Sequence, residues 1–204
     1  MTRDIVISLF DYSGTMVKPW LDAGYECWIV DLQHGNVSNG KLHKVNCDLT
    51  EPLSLPIDKE RIAFVSAFPP CDHLAVSGAR WFKGKGLRKL AISVAMFATA
   101  AEFCEDSGAP YLIENPVSTI STYWRKPDYT FDPYHFTRYN PDDNYTKKTC
   151  LWTGGGFVMP TYAMLQGILP PDDRIHKCAP GPERHNIRSA TPLGFAKAVF
   201  EANT

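Results

Sequence analysis

The sequence predicts an α/β domain: a mostly parallel sheet with helices on both faces. Three observations carry that prediction. Short β-branched apolar runs recur at 5–10, 25–31, 61–68 and 111–113, lengths that suit buried strands. Helical stretches fall between such runs, the clearest at 87–104 with apolar Leu90, Val94, Phe97, Ala98 and Ala101. Several strand-like runs also end in an acid or a Gly-containing turn, as the ligand-binding edge of an open α/β sheet does.

Taken in order, Ile5-Val6-Ile7-Ser8-Leu9-Phe10 forms the first strand and stops at the turn cluster Asp11-Tyr12-Ser13-Gly14. A helix of about ten residues is expected through Val17, Trp20 and Leu21, with Ala23-Gly24 as its stop. The strand at 25–31 closes on Asp31. A polar loop leads to Val45-Asn46-Cys47-Asp48, a short strand with another terminal acid. Residues 61–68 feed Pro69-Pro70-Cys71. Ser107-Gly108-Ala109-Pro110 ends the long helix, and Tyr111-Leu112-Ile113 runs into Glu114-Asn115-Pro116. From about 118 to 148 lies an irregular aromatic and basic insertion that includes Tyr123-Trp124-Arg125-Lys126. It reads either as a stacking and phosphate-contacting surface or as loops packed over the sheet edge. Thr149-Cys150-Leu151-Trp152 is strand-like, a proline-rich loop with basic residues covers about 159–188, and 192–202 is a last amphipathic helix. No repeat or linker divides the chain, so residues 1–204 read as one domain.

Bulk properties narrow the function. A chain of 204 residues can bury a full core. No apolar run approaches the roughly 20 residues needed to span a bilayer, so no membrane partner is expected. The start lacks the apolar core of a secretory signal, which predicts a cytoplasmic location. The six cysteines are scattered, as thiols in a reducing compartment are. No Cys-x-x-Cys pair occurs, and His176-x-Cys178 and Cys71-x-His73 stand isolated, which argues against a metal. The formal net charge of −1 gives no overall attraction to nucleic acid, so a DNA substrate would require a local basic face.

Cys71 stands out. It follows the strand-like Ile62-Ala63-Phe64-Val65 and two prolines, which restrict φ and hold the sulfur in one place at a strand's carboxyl end. By itself it is either a small buried apolar residue or a nucleophile. Other polar residues at strand ends also have two readings. Glu114 is a cap, a surface acid or a proton donor; Asp31 and Asp48 are caps or ligand acceptors; Phe10 is core or a ring platform; Arg80 is a surface ion pair or a substrate contact.

Four motifs in order tip the balance. Leu9-Phe10 through Gly14, Ala23-Gly24-Tyr25 through Asp31, Pro69-Pro70-Cys71-x-x-Leu74-x-Val76-Ser77-Gly78-x-Arg80, and Glu114-Asn115 cover about the first 120 residues. With them the chain resembles the DNA (cytosine-5) methyltransferases, and more closely the short versions found among bacteriophage proteins. The resemblance implies a Rossmann-like methyltransferase fold with S-adenosylmethionine as cofactor. It implies methyl transfer to C5 of cytosine in DNA through a covalent adduct between Cys71 and C6, with Glu114 as the acid at N3. It assigns the cofactor to Phe10, Asp11, Ser13, Gly14, Asp31, Asp48 and Pro69, and the substrate to Arg80, Asn115, Lys147 and Lys148. For a phage-encoded protein the compartment would be the host cytoplasm.

The chain departs from the family's pattern in several places. Tyr12 and Thr15 stand where glycines are common, and Pro116 follows Glu114-Asn115 in place of valine. Adjacent Lys147-Lys148 replace spaced arginines, and lysine is a poorer bidentate donor. The stretch after Trp152 is too short for a full target-recognition domain, which implies a short recognition sequence or single-stranded DNA. Two rival functions follow: the same chemistry on a free cytosine nucleotide, and a catalytically silent binding module.

Overall fold

The computed structural model describes residues 2–182 and 184–204; Met1 and Glu183, both inside the span read as one domain, lie outside the described residues. Eight strands, β1 (Ile5–Leu9), β2 (Glu26–Val30), β3 (Val37–Asn39), β4 (Leu42–Val45), β5 (Ile62–Ala67), β6 (Tyr111–Pro116), β7 (Tyr129–Phe131) and β8 (Thr149–Gly154), form one sheet in the order β3-β4-β2-β1-β5-β6-β8-β7. The five strands from β4 to β6 are mutually parallel. β3 pairs antiparallel with β4, and β8 runs against both β6 and β7. The helices are α1 (Lys18–Asp22), α2 (Phe82–Lys85), α3 (Leu87–Asp106), α4 (Ile120–Tyr123), α5 (Arg184–Ser189) and α6 (Leu193–Ala202).

Side-chain alternation along the strands divides the core. Ile5, Ile7, Leu9, Tyr111 and Ile113 pack beneath α3 with Phe97, Ala100 and Cys104. Val6, Ile29 and Leu112 face the other way, onto Trp20 of α1 and Phe195, Ala198 and Val199 of α6. The mixed, mostly parallel sheet therefore has helices on both faces, as the sequence predicts. No helix among the described residues is long and apolar enough to cross a membrane.

Four expectations change. The first helix is five residues long rather than about ten, because Pro19 is tolerated only in a helix's first turn and so fixes the start near Lys18. The stretch after Asp31 is not all loop: β3 and β4 form a hairpin through Gly40-Lys41, with positive φ at Gly40. The expected strand at 45–48 ends at Val45, leaving Cys47 and Asp48 beyond it. The insertion is partly ordered, since β7 extends the sheet past β8.

The chain winds outward from β1 through β2 to β4, then returns to β5 beside β1 and continues the other way. That reversal leaves a crevice outside the carboxyl ends of β1 and β5, the place where such sheets take ligands.

Candidate functional site

A cleft of about 1260 Å³ occupies that crevice. Twelve of the thirteen sequence-predicted site residues line it: Phe10, Asp11, Ser13, Asp31, Asp48, Pro69, Cys71, Arg80, Glu114, Asn115, Lys147 and Lys148. The exception, Gly14, sits one layer back. Its φ of 69° needs glycine, but a Cβ there would meet Ile29 rather than the cleft.

Beyond β1 the chain is held under strain. Phe10, with φ 55°, is the one described non-glycine residue in the left-handed region, a conformation that tends to mark functional turns. Asp11 fixes it. Its carboxylate accepts from Ser8 Oγ at 2.8 Å, Ser13 Oγ at 3.1 Å and the Gly14 N–H at 2.7 Å, while Ser66 of β5 donates to Ser8 at 2.9 Å. The Asp11 side chain is thus spent on the turn, and burial pushes its pKa upward. Asp11→Ala is expected to destabilise the fold by about 2–4 kcal/mol, since it strands buried donors. Chemical denaturation checks this; a loss below about 1 kcal/mol would show the network to be dispensable.

Asp31 and Asp48 do cap neighbouring turns, but each with a single oxygen. Oδ1 of Asp31 accepts from the Gln33 N–H at 2.8 Å, and Oδ1 of Asp48 from the Thr50 N–H at 3.0 Å. The other oxygen of each has no partner among the described residues and is available at the cleft wall.

Cys71, on the loop after β5, and Glu114, on β6, are brought together by bonds between their neighbours. Asn115 Nδ2 donates to the Pro69 carbonyl at 2.8 Å, the Val76 N–H to Val117 O at 2.8 Å, and the Thr119 N–H to Leu74 O at 2.9 Å. The Leu74 and Ala75 N–H groups turn back onto Cys71 O at 2.9 and 2.8 Å. These bonds fix the thiol's loop against the end of β6. Burial, then the Glu114 and Asp72 charges, push the Cys71 thiol up to about 11, with Lys147 opposing. Burial likewise raises the Glu114 carboxyl, again with Lys147 opposing, and that carboxyl accepts no hydrogen bond among the described residues. Burial thus shifts thiol and acid alike toward their protonated forms. Asn115 Oδ1 is buried and has no partner among the described residues.

Lys147 reaches this edge because β8 runs antiparallel, so its first residues lie beside the last of β6. Its N–H donates to Asp132 Oδ1 at 2.7 Å and its Nζ to Ala190 O at 3.4 Å. Since only the thiolate is alkylated, Cys71 should react slowly with iodoacetamide near pH 7 and about tenfold faster per pH unit until its pKa is reached. Lys147→Met removes the opposing charge and should move that profile to higher pH. An unchanged profile would show that the lysine does not act on the thiol.

Arg80 and Lys148 are exposed at the rim, with the Arg80 guanidinium 5.0 Å from the Trp81 ring centroid. Arg184 and Arg188 also line the cleft, a substrate-side place that sequence reading gave to neither. Their i, i+4 spacing was the available signal, hidden in a segment read as proline-rich loop. No protein-family model matches this chain, and no curated protein matches it.

Proposed function

We infer that the protein is an S-adenosylmethionine-dependent methyltransferase acting at C5 of cytosine in DNA. The observation that carries this reading is the convergence of Cys71 and Glu114, tied through Pro69 and Asn115, on one cleft at the sheet's switch point.

The donor chemistry of the cleft suits the cofactor. Asp31 and Asp48 each offer a carboxylate oxygen with no partner among the described residues, matching the ribose hydroxyls and the adenine amino group. Phe10, at the cleft wall, stands on a strained backbone. S-adenosylmethionine, when bound, supplies an electrophilic methyl group.

The protein's own residues make C5 able to accept that group. The Cys71 thiol gives up its proton to solvent and the resulting thiolate adds to C6: a sulfur–carbon bond forms, the C5=C6 π bond breaks, and its electron pair moves into the ring. Glu114, whose proton burial helps it to hold, gives that proton to N3 as the density arrives. C5 is then enamine-like and takes the methyl group. Water then takes the C5 proton, that C–H electron pair re-forms the C5=C6 bond as the thiolate leaves C6, and N3 returns its proton to Glu114, restoring the aromatic ring. Asn115 holds the nucleophile loop through Pro69, and Lys147 tempers both acids. Arg80 and Lys148 at the rim provide local positive charge that the net charge of −1 does not.

Incubation with S-adenosylmethionine and DNA carrying 5-fluorocytosine tests the reading, because fluorine blocks loss from C5 and leaves the adduct in place. A covalent complex through Cys71 supports it. Labelled methyl incorporation into dCMP or CTP but not DNA would move the substrate to the free nucleotide. No incorporation into any of the three would end the reading.

A further inference from the structure

Resting on that reading, we propose that α5 forms one wall of a phosphate-binding subsite. The guanidinium groups of Arg184 and Arg188, joined by the Lys148 ammonium, receive the phosphate ester of the cytosine nucleotide whose ring lies against Cys71 and Glu114.

The two arginines stand four residues apart on α5, so they share a face, and both line the cleft. Neither pairs with a carboxylate among the described residues. Arg184 Nε donates to Cys178 O at 3.0 Å, which orients its fork and leaves the terminal nitrogens, with no acceptor among the described residues, for a ligand. Arg188 Nε is buried without an acceptor among the described residues. A buried guanidinium N–H with no partner is costly, and an incoming anion offsets that cost.

Position fits as well. The bond from Lys147 Nζ to Ala190 O ties the end of this segment to the lysine whose charge acts on both Cys71 and Glu114. Asp48, Asp31 and Asp11 stand at the β4, β2 and β1 ends, whereas Lys147 and Lys148 precede β8, with Glu114 and Asp132 the carboxylates on that side. Two planar forks and an ammonium suit a phosphate, which carries the charge and the multiple acceptors to engage them together.

Binding without turnover tests the subsite, read on wild-type and Cys71→Ala protein with dCMP, a short single-stranded deoxyoligonucleotide containing cytosine, and phosphate-free 2′-deoxycytidine. The phosphate probes should bind more tightly than deoxycytidine. R184Q/R188Q should weaken them by about tenfold per guanidinium removed, and deoxycytidine binding should not change. For the oligonucleotide, the salt dependence should also become shallower. Weakening of both probes marks a terminal monoester site; weakening of the strand alone marks a backbone diester. Equal affinity of wild type and R184Q/R188Q for both phosphate probes, at unchanged melting temperature, overturns the proposal. So does wild-type protein that binds deoxycytidine as tightly as the phosphate probes. If the double variant melts early, Arg188→Lys decides. It keeps the charge and loses the fork, so undiminished affinity for both phosphate probes overturns the site. Protein that binds the phosphate probes yet never captures 5-fluorocytosine keeps this site and loses the methyl-transfer reading.

Discussion

Cys71→Ala is expected to abolish both methyl transfer and covalent capture of 5-fluorocytosine while leaving thermal stability nearly unchanged. Losing a covalent nucleophile costs turnover on the order of 10⁶-fold. Stability should hold because the loop's hydrogen bonds run through backbone atoms: Cys71 O accepts from Leu74 and Ala75, and Pro69 O accepts from Asn115. The thiol itself is only half-buried. Cys104→Ala is the informative control. Cys104 is wholly buried among Phe97, Ala100 and Tyr111, so its truncation should cost about 1–2 kcal/mol and leave the chemistry intact. Quantitative incorporation of labelled methyl, with melting curves for both variants, separates the outcomes. Transfer by Cys71→Ala at a rate close to wild type would remove the thiol from the mechanism.

The site was legible in the sequence because its parts occur at strand ends, where a local run announces itself. Phe10, Asp31, Cys71 and Glu114 each follow or close a short apolar stretch, and a parallel sheet gathers such ends on one edge without further instruction. What escaped notice depends on longer range. The role of Asp11 follows from Ser8, which bonds in turn to Ser66 on β5, so its side chain serves the turn rather than a ligand. β3 escaped because Val37-Ser38-Asn39 is exposed throughout and shows no alternation, although Asn39-Gly40 was a hairpin signal. β8 is buried along most of its length, so its pattern carries no direction, and only the pairing with β6 reveals that it runs backwards. That reversal is what delivers Lys147 to Cys71 and Glu114.

Glu114→Gln should slow methyl transfer by about 10²–10⁴-fold, the usual worth of a positioned proton donor, and yet raise the melting temperature. Burial lifts the carboxyl's pKa in the folded protein, no hydrogen bond steadies its charge, and Lys147 relieves only part of the penalty. An acid whose pKa is raised by folding stabilises the native state when protonated and destabilises it progressively as pH rises through the ordinary carboxylate range and beyond. Glutamine fills the same space without a charge. The stability gap between variant and wild type should therefore widen with rising pH and close in acid, where both side chains are neutral. At this chain length each kcal/mol would appear as a shift of about 2–4 °C. A second readout follows from the neighbouring thiol: Glu114 helps to push Cys71 up to about 11, so its neutralisation should lower that pKa and speed alkylation at a fixed pH. Slower chemistry, a more stable fold and a more reactive thiol form a combination that a merely structural glutamate does not produce. If the melting temperature of the variant falls instead, Glu114 is supporting the fold, and its assignment as the proton donor at N3 fails.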